Sequence, residues 1–257
     1  RYNVAVDTPA LVAHVVADLN GRDIDPPRIE VTKAKVEAKG DSFAALQQLV
    51  AWAHERHERT VDGRAGGRIK VRIVKGANLA MERVEAAMRG WEATPYESKA
   101  QTDANYKRCI DWVLTPERTR AVKVGLASHN LFDVAWARLL SVARGVPDRI
   151  EFEMLQGMAP AEARTVQSDG GGLLLYTPVV DPADFHVAIS YLFRRLEENA
   201  STENFIRHLF TLAKEPSALA AEADKFRAAV RDRAAAPLGP RRRQNRLTEA
   251  SSGRVLD

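Results

Sequence analysis

At 257 residues the chain suffices for one large domain or two small ones, and 45% hydrophobic with 28% charged content is ordinary for a globular protein. A formal charge of +4, much of it in Arg241-Arg-Arg-Gln-Asn-Arg246 with no aromatic residue, argues against a nucleic-acid partner. The one cysteine, Cys109, excludes an internal disulfide or a cysteine-rich metal site and suits a reducing cytosol, and no run reaches the ~20 apolar residues of a membrane span.

Residues 1–41 are the least regular part. Val4–Val6 and Ile29–Val31 read as short strands, the second opening an imperfect alternation over Ile29–Val36 (Ile29, Val31, Ala34, Val36), Pro9–Leu19 reads as a helix, and Pro26-Pro27 breaks what precedes it. The N-terminus shows no signal-peptide pattern. Ser42 is an N-cap candidate, and Phe43, Leu46, Leu49, Val50 and Ala53 follow at helical spacing to about Arg59. After a polar, glycine-containing loop (Asp62–Gly67), Ile69–Val74 is a β-branched strand, and Leu79–Arg89 and Lys99–Val113 are helices, the second burying Cys109 as a packed thiol.

Val122–Ala127 and Ile150–Leu155 are strands, separated by a helix over Phe132–Ala143. Pro160 opens a short helix to Gln167. Leu173–Tyr176 is a strand, and Pro182–Asn199 is a helix with Phe185, Ile189, Leu192 and Leu196 on one apolar stripe. Alternating strand and helix over Ile69–Asn199 predicts a parallel sheet with helical crossovers. From Ser217 a charged helical piece, Ala218–Arg233, leads into sequence rich in proline, arginine and glycine that reads as a linker.

In a parallel β/α barrel the chemistry sits at the carboxyl ends of the strands. By period two, Arg72 and Val74 share one face of their strand, and Val71, Ile73 and Lys75 the other. An inward Arg72 needs a polar ligand or an acid, and its spacing does not choose between them. Gly76 and Ala77 let a ligand approach the backbone. His129, in Ser128-His-Asn130, reads either as a structural histidine or as a group projecting into the strand-end crevice. Tyr191, Arg194, Arg195 and Glu198 lie opposite the apolar stripe, as a solvated face or as a carboxylate clamp.

Taken together, Val71-Arg-Ile-Val-Lys-Gly-Ala77, Lys99-Ala-Gln-Thr-Asp-Ala-Asn-Tyr106, Ser128-His-Asn130, Phe152-Glu-Met-Leu-Gln-Gly-Met158, Leu175-Tyr-Thr-Pro178 and Tyr191-Leu-Phe-Arg-Arg-Leu-Glu-Glu-Asn199 occur in this order. They resemble the flavin-dependent proline dehydrogenase family, in the bifunctional bacterial form where an aldehyde dehydrogenase domain follows. The resemblance runs from about Asp41 to Arg246.

It implies an α/β fold, a distorted (β/α)8 TIM barrel, and oxidation of L-proline to Δ1-pyrroline-5-carboxylate by hydride transfer to FAD. Electrons then pass to a membrane quinone, by a cytoplasmic protein peripheral at the inner face of the membrane. By matched position, Arg72, Val74, Lys75, Gly76, Ala77, Lys99, His129, Asn130 and Glu153 hold the cofactor. Leu155, Tyr176, Tyr191, Arg194 and Arg195 hold proline, and Glu198 supports the arginine pair.

There are departures. Glu153 stands where many members carry glutamine, and Asn78 and Leu79 stand where many bifunctional members carry aromatic residues. The family's early-strand motifs are not found in Arg1–Gly40. That organises the chain as an atypical segment 1–41, truncated or rearranged, the C-terminal part of the barrel over 42–216, and a helical piece with a basic tail over 217–257. An incomplete member acting only as a structural or binding unit is the alternative, and a barrel lyase using Lys75 as a Schiff-base amine is a second one.

Overall fold

The computed structural model describes residues 3–6, 33–37, 42–61, 64–76, 79–169, 172–177, 179–201, 203–212, 214–239 and 241–244. Six strands form one sheet: β1 (Asn3–Val6), β2 (Lys33–Glu37), β5 (Ile69–Val74), β6 (Val122–Ala127), β7 (Ile150–Leu155) and β8 (Gly172–Tyr176). Their spatial order is their chain order, and every neighbouring pair is parallel. A short antiparallel hairpin, β3 (Thr60–Val61) with β4 (Arg64–Ala65), occupies the loop before β5.

The helices are α1 (Ser42–Glu58), α2 (Leu79–Arg89), α3 (Lys99–Val113), α4 (Leu131–Ala143), α5 (Pro160–Ser168), α6 (Phe185–Ala200), α7 (Phe205–Leu212) and α8 (Pro216–Asp232). Sequential parallel strands joined by helices make the β/α progression of the barrel class. The described strands are thus α/β, as the alternation predicts. β2 falls a few residues after the strand expected at Ile29–Val31, which lies outside the described residues together with the helix expected at Pro9–Leu19.

The helices packed on the sheet form because one apolar stripe meets it. In α1, Ala45, Leu46, Leu49, Val50 and Ala53 are buried at helical spacing. Ser98 caps α3 by accepting from the Gln101 N–H at 3.2 Å, and Asn130 caps α4 by accepting from the Phe132 N–H at 2.9 Å. The outward face of the sheet supplies the other half of the core. Ile73, Leu126 and Phe152 align across β5, β6 and β7, and all are buried with Leu46, Leu49 and Ile110. Each fully buried side chain of this kind contributes roughly 1.5–3 kcal/mol.

The C-terminal segment makes specific contacts instead of trailing away. Arg108 on α3 donates to the carbonyls of Arg233 and Ala236 at 2.7 and 2.6 Å, and Arg233 pairs with Asp111 at 2.9 Å. Phe226 of α8 stacks on Phe132 at 5.7 Å. Arg241 and Arg242 then reach the carbonyls of Pro95 and Glu92. The residues read as a basic linker have an excess of donors, and the loop before α3 offers carbonyls to receive them. The apolar stripe of α6 differs from its expectation, because Phe185, Ile189, Leu192 and Leu196 are all exposed.

Candidate active site

The inward face of the sheet is charged where the outward face is apolar. Period two puts Lys70 and Arg72 of β5, Gly125 of β6, Glu151 and Glu153 of β7, and Tyr176 of β8 on this face. Glu153 is fully buried and takes two cations: Arg72 donates through Nε to Oε2, and the Lys70 ammonium lies 2.6 Å from Oε1 as an ion pair without hydrogen-bond alignment. Lys70 also pairs with Glu151. The Arg72 guanidinium sits 4.6 Å from the Tyr176 ring centroid, a cation–π contact. Its Nη groups have no hydrogen-bond partner among the described residues.

The strand ends carry the second group. Leu155, at the end of β7, donates its N–H to His129 Nε2 at 3.0 Å. An imidazole that accepts through Nε2 carries its proton on Nδ1 when neutral, and that Nδ1 is buried with no partner among the described residues. Burial lowers the His129 pKa against the opposing pull of Glu162, which favours the neutral ring that accepting the Leu155 N–H requires. Gly76 turns the chain at φ 92, a conformation that suits glycine, just beyond β5. Asn130 has its carbonyl committed to the α4 cap, while Ser128 Oγ accepts from the Asn130 N–H and donates to Asp133 Oδ2, each at 3.1 Å.

Lys75 belongs to a different cluster on the helix side of the sheet. Its ammonium lies 2.7 Å from Asp103 and 2.8 Å from Asp133. Asp103 also takes Lys99 at 2.5 Å, and Asp133 takes Lys107. Burial alone would pull Lys75 down, but the two carboxylates hold it above its ordinary range. Burial likewise opposes ionisation of Asp133, and Lys75 and Lys107 overcome it, holding the carboxyl well below its ordinary value. A lysine kept protonated in this way is a poor Schiff-base nucleophile, which removes support from the lyase reading.

On α6 the Arg195 guanidinium stacks at 4.7 Å over the Tyr191 ring, so those two expected residues meet. Val74 and Leu155 end their strands beside the charged face. The side chains of Arg194 and Glu198, and Ala77 altogether, lie outside the described residues. The structure therefore brings Arg72, Glu153 and Tyr176 together, joins His129 to Leu155, and sets Lys75 and Lys99 on shared Asp103. Sequence reasoning passed over Lys70, Glu151, Asp103, Asp133 and Gly125. One signal was available: Lys70-Val-Arg72 and Glu151-Phe-Glu153 carry opposite charges at the same period-two spacing on two buried strands.

A family model described as proline dehydrogenase matches residues 39–208. The bifunctional protein PutA of Klebsiella aerogenes is 30% identical over 153 residues, covering 57% of this chain and 11% of that protein. The human mitochondrial proline dehydrogenase 1 is 33% identical over 142 residues, covering 54% of this chain and 23% of that one. Among solved structures, proline utilization A (PutA) from Corynebacterium freiburgense aligns with a TM-score of 0.75 at 39% identity, over 95% of this chain and 23% of that one. This chain thus spans between about a tenth and a quarter of the length of these relatives. The ordered motifs, the parallel β/α sheet and these matches agree, and the chain belongs to the proline dehydrogenase family.

Proposed function

We propose that this chain oxidises L-proline to Δ1-pyrroline-5-carboxylate, as the proline-oxidising unit of a bifunctional protein that also holds an aldehyde dehydrogenase domain. The observation that carries the reading is Arg72. It is fixed by Glu153 and Tyr176 at the carboxyl end of the sheet, and its Nη donors have no partner among the described residues.

The donor set fits FAD, an anionic and acceptor-rich group. Arg72 keeps its Nη groups, His129 presents a buried Nδ1–H with no partner among the described residues, and Gly76 leaves the backbone bare at the turn. Val74, Lys75, Ala77, Lys99, Asn130 and Glu153 complete the proposed cofactor shell. Lys75 and Lys99 act there as a positive wall already balanced by Asp103 and Asp133. FAD, when bound, supplies the hydride acceptor and passes the electrons on to a membrane quinone.

The chain's own residues orient proline and handle its charge. Arg194 and Arg195 take the carboxylate, Tyr191 and Tyr176 enclose the ring, Leu155 closes the strand-end side, and Glu198 supports the arginine pair. The secondary ammonium gives its proton to solvent, the C–H bond at Cδ releases hydride, and the nitrogen lone pair forms the C=N bond. Holding these atoms in register is worth several kcal/mol, and turnover rises with pH as the amine is freed. Among the described residues no helix is long and apolar enough to cross a membrane. The family resemblance supports a cytoplasmic protein that meets the quinone peripherally at the inner face.

The absorption spectrum of the purified full-length chain tests the reading. The expected result is bound-flavin absorbance that bleaches on adding proline, with proline-dependent dye reduction. A folded chain that takes up no FAD and reduces no dye overturns it. That outcome favours the second reading, a structural or binding unit, which draws on the exposed apolar stripe of α6.

A further inference from the structure

We infer that Glu153 is the positioning residue for Arg72, seated by Lys70 and admitted by Gly125, an assignment that rests on the proposed function for its purpose but not for its geometry. β5 and β7 are not neighbours, because β6 lies between them. Strands spaced ~4.8 Å apart leave nearly 10 Å between β5 and β7. A pair between Arg72 and Glu153 must therefore cross the inward face of β6. The residue it crosses is Gly125, the register partner of Arg72.

Gly125 is not a positive-φ glycine, so no turn calls for it. What it supplies is room. A Cβ there would lie 2.5 Å from Glu153 Oε1 and 2.8 Å from Lys70 Cε. Both atoms belong to the charge cluster, and Glu153 is buried against two cations, with nowhere to retreat without breaking a pair. Glycine at 125 thus lets one carboxylate reach across a strand.

The pairing also decides which edge of Arg72 is used. Glu153 takes Nε, and Tyr176 covers the guanidinium plane, so the Nη edge is what remains for a ligand. Lys70 balances the arrangement by holding the other carboxylate oxygen. A neutral glutamine in place of Glu153 would leave Lys70 and Arg72, two sparsely exposed cations, with one amide oxygen between them and Glu151, on the Lys70 side, as the remaining carboxylate partner described. Removing the Lys70 charge at the same time would let the amide oxygen serve Arg72 alone.

The experiment compares the parent with Glu153→Gln, Gly125→Ala, Lys70→Met and the double variant Lys70→Met/Glu153→Gln. Two measurements are made on each full-length chain: the Arg72 Nε–H resonance in flavin-free protein, assigned by its loss in Arg72→Lys, and FAD affinity by fluorescence titration. A carboxylate-bound Nε–H is shifted downfield and protected from exchange. The expected result is that the signal is present in the parent and the double variant and lost in Glu153→Gln and Gly125→Ala. FAD affinity falls about 10- to 100-fold in the latter two, as for a lost charged hydrogen bond, and recovers to within about threefold in the double variant.

Persistence of the protected Nε–H in Glu153→Gln and Gly125→Ala overturns the inference. So does a double variant that folds but neither shows the signal nor regains affinity. If Glu153→Gln does not fold, the double variant decides alone. A parent that shows the Nε–H signal but takes up no FAD refutes the proposed function and leaves the positioning role supported.

Discussion

The two sides of β5 carry cations only a few residues apart, and they are used in opposite ways. On the helix side Lys75 lies between Asp103 and Asp133, which also take Lys99 and Lys107, so amines and carboxylates interlock at close range. On the inward side Lys70 and Arg72 share Glu153, and Arg72 is held by its Nε edge, with its Nη groups lacking a hydrogen-bond partner among the described residues. Both clusters are shielded from water, so neither is a surface decoration. The first ties β5, α3 and α4 into one unit. The second presents a fixed guanidinium at the carboxyl end of the sheet, where this fold class keeps its chemistry.

The sharpest way to break the contrast is Asp133→Ala. It leaves Lys75 and Lys107 buried with Asp103 as the remaining carboxylate among the partners described, and the expected loss is about 3–5 kcal/mol in urea unfolding. A loss under about 1 kcal/mol would show the helix-side cluster to be dispensable. The pH dependence has a definite sign. Burial would raise the Asp103 and Asp133 pKa values, but their lysine partners depress both below the ordinary 3.8. A depressed carboxyl contributes stability that is complete above the unfolded value and is lost as pH falls through the folded one. The parent should therefore lose stability as pH drops below about 3.8, and Asp133→Ala should lose less over that window.

A crossed pair of substitutions sharpens it next. Arg72→Met removes an inward cation while Lys70 still holds Glu153, and Lys75→Met removes a helix-side one. Arg72→Met should cost FAD affinity about 10- to 100-fold, near 1.5–3 kcal/mol, with a small change in the unfolding midpoint. Lys75→Met should weigh the other way, with the larger cost in the unfolding midpoint and a smaller one in FAD affinity, because Asp103 and Asp133 already balance its charge. Equal effects on affinity would mean that Lys75 meets the ligand as directly as Arg72 does.

The contrast explains what the sequence made legible. β5 to β8 declared themselves through β-branched or apolar runs, and α1, α3, α4 and α6 through helical spacing. β2 showed only as the end of an imperfect alternation over Ile29–Val36, because Lys33-Ala-Lys-Val-Glu37 mixes charge with small apolar residues; its parallel register with β5 is what places it in the sheet. The hairpin at Thr60–Ala65 has strands of two residues, too short for a pattern, and α7 spaces Phe205, Leu209 and Leu212 as a helix does but over only eight residues. In the site, Arg72 and Tyr176 were found by motif. Lys70, Glu151 and Gly125 were not, since their meaning depends on a contact between strands that are not neighbours. Asp133 sits in a helix whose first turn favours an acid anyway, which hid its role.

Asn130 offers a smaller test, because it is both an α4 cap and a proposed cofactor residue. Asn130→Ala should cost about 1 kcal/mol of stability through the lost cap. Asn130→Asp keeps a capping oxygen of similar strength but adds a negative charge. It should hold the unfolding midpoint while weakening FAD binding if the anionic part of the cofactor lies there. Unchanged affinity in both variants would assign Asn130 to the helix alone.

The smallest expected effect lies at the opposite end of the strands. Arg120, just before β6, pairs with Glu58 across the surface, and their side chains are 57% and 61% exposed. Two long side chains in water gain little from such a pair, because solvent screens the attraction and holding them together costs rotamer entropy. The Arg68 Nε–H that reaches position 120 bonds the backbone carbonyl, 3.0 Å away, and survives any substitution there. Arg120→Ala should therefore change stability by about 0.5 kcal/mol or less, shrink further at high salt, and leave FAD affinity alone. A larger loss, persisting in 1 M salt, would mean that charge at the start of the strands matters as much as charge at their ends, and the division between the two would fail.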